Sequence, residues 1–138
     1  MKILSWNVRG LGRPSKCHLV KDFIFSCGAD IVYLQESKLH DLHSSTWRLI
    51  GGSRLNTFEF LPALDTAGGI IIAWDHSQVI GTQIHKGTFS ITIEFTNQAN
   101  NSIWACTSVY RHNTRPLKVD FWNELRIIRN LHSVQFPG

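Results

Sequence analysis

Three consecutive segments at the start of the chain constrain its fold more than anything else in it. Lys2–Val8 (Lys-Ile-Leu-Ser-Trp-Asn-Val) is a short apolar run closed by the loop Arg9-Gly10-Leu11-Gly12-Arg13-Pro14, the pattern of a buried strand ending in a turn. Ser15 is placed to cap a helix over about Lys16–Cys27. The apolar stripe of that helix is Cys17, Val20, Phe23, Ile24 and Cys27, and Gly28 is its stop. Asp30–Glu36 is a second buried-looking strand. A strand, a crossover helix and a second strand in one sheet run parallel with a right-handed connection. Both strands therefore end at the same rim, where open α/β sheets place their ligand sites. Asn7 from the first strand and Gln35 and Glu36 from the second stand at that rim.

Further on the period falls to two. One helical turn is expected near Leu42–Trp47, then strands over Arg54–Phe60, Gly69–Trp74, Gln78–His85, Thr88–Phe95 and Ser102–Tyr110. Lys86-Gly87 and Asn97–Asn101 are the turn signals between the last of them. A helix over about Pro116–His132 follows, with Pro in its first turn and Leu117, Phe121, Leu125, Ile128 and Leu131 on its apolar face. The expectation is a single α/β domain over residues 1–138, with a mixed sheet and two main helices.

Composition narrows the function. At 43% hydrophobic and 17% charged the chain is too apolar to be disordered. It has no run of ~20 apolar residues and no signal-peptide core, so an intracellular protein with no membrane partner is expected. The net charge of +4 and pI near 9.2 are compatible with a polyanionic partner without demanding one. Cys17, Cys27 and Cys106 are odd in number and form no C-x-x-C pair, which favours buried free thiols over disulfides or a zinc site.

Five segments carry a family resemblance: Ser5-Trp6-Asn7-Val8-Arg9-Gly10-Leu11-Gly12, Leu34-Gln35-Glu36-Ser37-Lys38, Gly68-Gly69-Ile70-Ile71-Ile72-Ala73-Trp74, Ser108-Val109-Tyr110 and Phe121-Trp122-Asn123-Glu124-Leu125. In this order and spacing the chain resembles the endonuclease/exonuclease/phosphatase family, and within it the endonuclease domains of plant LINE-type retrotransposons. The resemblance implies a DNase I-like α/β/β/α sandwich and hydrolysis of phosphodiester or phosphomonoester bonds with Mg²⁺ or Mn²⁺. It makes Glu36 the metal-ligand carboxylate, lets Asn7 support metal or phosphate, and puts Tyr110 on the scissile phosphate. Arg115 is a looser match to a phosphate-side residue, and Arg9 and Lys38 stand where DNA phosphates would pass. The DNA target implies a nuclear role.

The departures from the family weigh as much. The later Gly-Asp-Phe-Asn and Ser-Asp-His motifs occur nowhere in the sequence, and Arg111-His112 replaces the small residue and proline that usually follow Tyr110. The chain thus reads as the N-terminal half of the fold, a partial sandwich. Phosphodiester hydrolysis needs a metal, a general base and phosphate donors. Glu36 can serve the first, and Asn7, Tyr110 and Arg115 the third, while no residue stands out as the base. An inactive fragment is therefore the leading expectation. Its rivals are a non-catalytic nucleic-acid-binding module resting on Arg9, Arg13, Lys38, Arg111 and Arg115, and an enzyme completed by a missing-half partner or by a second copy covering an exposed sheet face. By residue type alone, Asn7 and Glu36 would be ordinary polar strand ends, Tyr110 a packed strand aromatic, and Gly68-Gly69 a turn.

Overall fold

The β-α-β unit forms as the sequence predicts. The computed structural model describes residues 1–110 and 123–127, and its elements are β1 (Ile3–Asn7), α1 (Pro14–Cys27), β2 (Ile31–Gln35), α2 (Ser44–Gly51), β3 (Thr57–Leu64), β4 (Ala67–Trp74), β5 (Val79–Lys86), β6 (Ser90–Asn97) and β7 (Ile103–Val109). β1 and β2 pair in parallel, Asn7 opposite Gln35. β4 pairs antiparallel with β2 and with β3, giving a mixed sheet of order β1-β2-β4-β3. β5, β6 and β7 form a separate antiparallel sheet.

The alternation of side chains decides the layers. Val32, Leu34, Ile71 and Ala73 point to one face of the first sheet and pack with Val20, Ile24, Trp47 and Ile50 of the helices. Ile31, Tyr33, Ile70, Ile72 and Trp74 point to the other face, against Ile91, Ile93 and Phe95 of the second sheet. β4 is buried on both faces, so it reads as a continuous apolar run. Ser90 lies on the opposite side of β6 from Ile91 and Ile93, and its hydroxyl donates to Glu124. The helical residues 123–127 therefore sit outside the second sheet, and the layer order is α/β/β/α.

Three expectations change in detail. Arg13, not Ser15, is the N-cap of α1; it makes no side-chain cap, and Pro14 starts the helix, where its missing N–H costs nothing. β3 begins at Thr57 because Arg54 is drawn into ion pairs with Asp30 and Asp75. The Leu55 carbonyl, meanwhile, accepts from Trp47 Nε1 at 2.8 Å. β3 then runs past Phe60 to Leu64 and tolerates Pro62 because it is an edge strand. Of the helix expected over Pro116–His132, residues 123–127 are helical and the others fall outside the described residues. The three cysteines are free. No helix among the described residues is long and apolar enough to cross a membrane.

Candidate active site

The rim where β1 and β2 end is stitched together by backbone. Val8 N–H donates to the Gln35 carbonyl (3.0 Å), Gly10 to Glu36 (2.7 Å) and Leu11 to Ser37 (3.0 Å). On the other side, Ser37 N–H donates to Gly69 (3.0 Å) and Lys38 N–H to Gly68 (2.9 Å). The antiparallel β4 thus brings its first residues to the same rim. Arg9, Glu36 and Lys38 all have left-handed backbone, with φ of 53°, 54° and 60°, a conformation uncommon outside glycine, Asn and Asp. At Glu36 it interrupts the strand alternation just where the carboxylate is presented.

Two close approaches shape the floor. A Cβ on Gly69 would lie 2.4 Å from Ser37 Oγ, and one on Gly68 would lie 3.0 Å from the Tyr110 ring. Gly68-Gly69 is therefore no simple turn: it opens β4 and provides the surface on which Ser37 and Tyr110 rest.

Tyr110 arrives from the second sheet. It follows β7 directly, and its N–H donates to the Phe89 carbonyl at 2.8 Å. Its phenol is held above the usual tyrosine value, first by burial and then by the negative charge of Glu36. That electrostatic coupling brings together two of the residues expected from sequence. Asn7, on the strand beside β2, is exposed, and its Oδ1 accepts the Arg9 N–H at 3.1 Å.

Arg9 and Lys38 share a cleft beside this rim. The cleft has a volume of about 730 Å³ and is lined by both of them together with Gly10, Gly12, Arg13, Ser15, Lys16 and Leu19. Four cations and no carboxylate line it. The first turn of α1 carries no acidic residue either, so its positive dipole end adds to the same field. Lys16 escaped sequence reasoning because a lysine in a helical first turn reads as a solvated side chain. Arg115 falls outside the described residues, as do Arg111 and His112.

The opposite rim holds two carboxylates, Asp30 and Asp75. Arg54 Nη1 lies 3.5 Å from Asp30 and 3.3 Å from Asp75, and its Nη2 donates to the Ala29 carbonyl. Burial alone would push Asp75 up, but hydrogen bonds from Ser77 and the Arg54 guanidinium outweigh it and hold the carboxyl below its ordinary value. These acids brace the far end of the sandwich and do not face Glu36. Among the described residues, no three His, Cys, Asp or Glu side chains are grouped to hold a metal.

No protein-family model matches the sequence, and no curated protein matches it. Among solved structures the chain is similar to the AP endonuclease LMAP from Leishmania major, with a TM-score of 0.57 and 17% sequence identity. The fold is DNase I-like. The match covers 94% of this chain but 44% of that one, so the chain spans less than half the length of the protein it resembles. The DNase I-like fold agrees with the mixed α/β sandwich expected from the five motifs.

Proposed function

We propose that the chain carries the metal-and-phosphate side of a nuclease-type site acting on DNA, and that this side does not complete a catalytic centre on its own. The observation that supports it most is the convergence of Glu36, Tyr110 and Asn7 on one rim beside a cleft lined by Arg9, Arg13, Lys16 and Lys38. The AP endonuclease fold of the similar structure and the likeness of the five motifs to LINE-type endonuclease domains point the same way.

The donor chemistry fits a hard divalent cation. Mg²⁺ is commonly held by one or two carboxylates, with waters and substrate oxygens filling the remaining positions. Glu36 is partly exposed at its rim, with Asn7 on the adjacent strand as a neutral oxygen donor. A Mg²⁺ or Mn²⁺ ion bound there would polarise the phosphoryl oxygens and ease departure of the leaving oxygen. Glu36 holds the charge that attracts such an ion, and the Tyr110 hydroxyl, kept protonated well above neutral pH, donates to a phosphate oxygen. The cations of the cleft carry the flanking backbone, a sequence-independent, salt-sensitive attraction.

The test is a plasmid-nicking assay with Mg²⁺ and Mn²⁺ on wild type and Glu36→Ala, alongside duplex binding across a salt series. The expected result is binding that weakens steeply with salt and no nicking by either protein alone. Nicking by wild type that is lost in Glu36→Ala would show a complete catalytic centre and overturn the half-site assignment. Binding indifferent to salt would remove the DNA-facing role.

A further inference from the structure

Among the described residues, Glu124 makes a set of hydrogen bonds that the candidate site does not use. It projects from the helical residues 123–127 into the turn between β5 and β6. There its carboxylate accepts the Thr88 N–H (2.5 Å), the Phe89 N–H (3.0 and 3.3 Å to its two oxygens) and the Ser90 hydroxyl. Two successive backbone N–H groups and a hydroxyl turned on one carboxylate make a charge-assisted cradle, stronger than the same bonds to a neutral acceptor.

Gly87 makes room for it. A Cβ at that position would lie 2.0 Å from Glu124 Oε1. The backbone of Gly87 is not left-handed, so the glycine there supplies space rather than conformational freedom. Its own N–H closes the turn on the Ser90 carbonyl at 2.9 Å.

The cradle lies one hydrogen bond away from the candidate site. Phe89 receives the carboxylate on its N–H, and its carbonyl accepts the Tyr110 N–H at 2.8 Å. The next residue, Ser90, pairs with Val109 across β6 and β7. One residue of the turn, Phe89, thus meets Glu124 through its N–H and the backbone of Tyr110 through its carbonyl, on successive peptide units. The Tyr110 ring, in turn, sits over Gly68 at the rim. A shift of Phe89 is passed to Tyr110 across the Phe89 Cα, through the bond from the Tyr110 N–H to the Phe89 carbonyl.

We infer that Glu124 is a positioning residue. From the outer layer, through Phe89, it sets where Tyr110 stands at the Glu36 rim. This rests on the reading of Tyr110 as a phosphate-contacting group. It also gives the Phe-Trp-Asn-Glu-Leu segment a specific role, since the carboxylate of that segment is a hold on the site from the outer layer. Removing it leaves the Thr88 and Phe89 N–H groups to be satisfied by water and frees the turn to move.

The experiment uses the two tyrosines of the chain, Tyr33 and Tyr110. Both are replaced by 3-fluorotyrosine, and Tyr33→Phe assigns the two ¹⁹F resonances. Tyr33 is buried between the sheets and reports whether the core is intact. In Glu124→Gln the Tyr110 resonance is expected to move by more than its linewidth while that of Tyr33 stays in place. Gly87→Ala, which would evict the carboxylate, is expected to move Tyr110 in the same direction. Should Glu124→Gln fail to fold, Ser90→Ala removes one contact to the same carboxylate and is expected to give a smaller shift of the same sign. An unchanged Tyr110 resonance in a folded Glu124→Gln, or in Ser90→Ala when that is the folded variant, overturns the inference. A DNA duplex titrated into wild type tests the phosphate contact separately: if Tyr110 does not respond to DNA yet moves in Glu124→Gln, the positioning stands and its role at a phosphate falls.

Discussion

Replacing Gly69 by alanine should be among the most damaging single-methyl additions available to this protein, and both parts of the cost can be read from the structure. Gly69 has φ of 89°, outside the region an L-residue adopts easily, and holding a side chain there costs about 1–3 kcal/mol. The new Cβ would also lie 2.4 Å from Ser37 Oγ and 3.1 Å from the Lys38 amide nitrogen. Ser37 is fully buried, and the Lys38 amide is already bonded to Gly68, so neither neighbour has an easy retreat. Overpacking of this kind costs about 1–3 kcal/mol, and together the two give about 2–6 kcal/mol. The assay is equilibrium urea unfolding followed by the fluorescence of the five tryptophans. A double-mutant cycle with Ser37→Ala separates the parts, since losing Oγ relieves the contact but not the φ. A favourable coupling of about 1–3 kcal/mol is expected. A Gly69→Ala protein within about 0.5 kcal/mol of wild type, the range of an inert surface change, would refute the idea that β4 and the Glu36–Lys38 loop are in forced contact.

Two further outcomes follow from the same geometry. Asp75 is held below its ordinary value in the folded state, so its stabilising contribution is full above the unfolded carboxylate pKa of about 4 and is lost as pH falls through the lower folded value. Urea midpoints measured downward from pH 7 should therefore fall less steeply in Arg54→Ala than in wild type, and parallel curves would dismiss the Arg54 bridge as a source of acid sensitivity. In the cleft, Lys16→Gln should lower the slope of log affinity for duplex DNA against log salt by about one; an unchanged slope would take Lys16 out of the footprint.

The β-α-β unit and the meander were legible because their signals are local. Apolar runs between Gly, Pro and Asn clusters specify strands whatever lies around them, and the parallel pairing of β1 with β2 follows from the crossover helix. That Asn7 and Glu36 share a rim follows from the same geometry. The arrival of Tyr110 does not, since that depends on how two sheets are superposed, and only the family resemblance brought the residue forward. What stayed hidden was set by tertiary contact. Arg54 reads as the first residue of a strand until Asp30 and Asp75, distant in sequence, claim it. Nothing in the sequence around Trp47 marks it as core, yet it is a core residue whose ring nitrogen meets the Leu55 carbonyl. Gly68-Gly69 looked like a turn because sequence shows that a glycine is present but not what lies against it. Glu124 is one acid on a helix, and its cradle of two backbone amides and the Ser90 hydroxyl is brought to it only by the tertiary fold.

The left-handed residues set the candidate rim apart from ordinary turns. Asp65 and Asn101 have φ of 54° and 60°, but they sit in the β3–β4 and β6–β7 connections and are of the types whose short side chains tolerate that conformation. Arg9, Glu36 and Lys38 are not of those types, and each carries a penalty of roughly 1–2 kcal/mol that glycine would avoid. All three lie within one rim, on loops tied by the bonds of Gly10 to Glu36, Leu11 to Ser37, Ser37 to Gly69 and Lys38 to Gly68. Those bonds fix the backbone there whatever side chain is attached, so a charged residue at each position gains the loop nothing in stability. What it does gain is a carboxylate presented from a fixed loop, beside a phenol that feels its charge. Strain over-determined by its surroundings is the usual accompaniment of a pre-organised site, and here it falls on the residues for which the metal and phosphate roles are proposed.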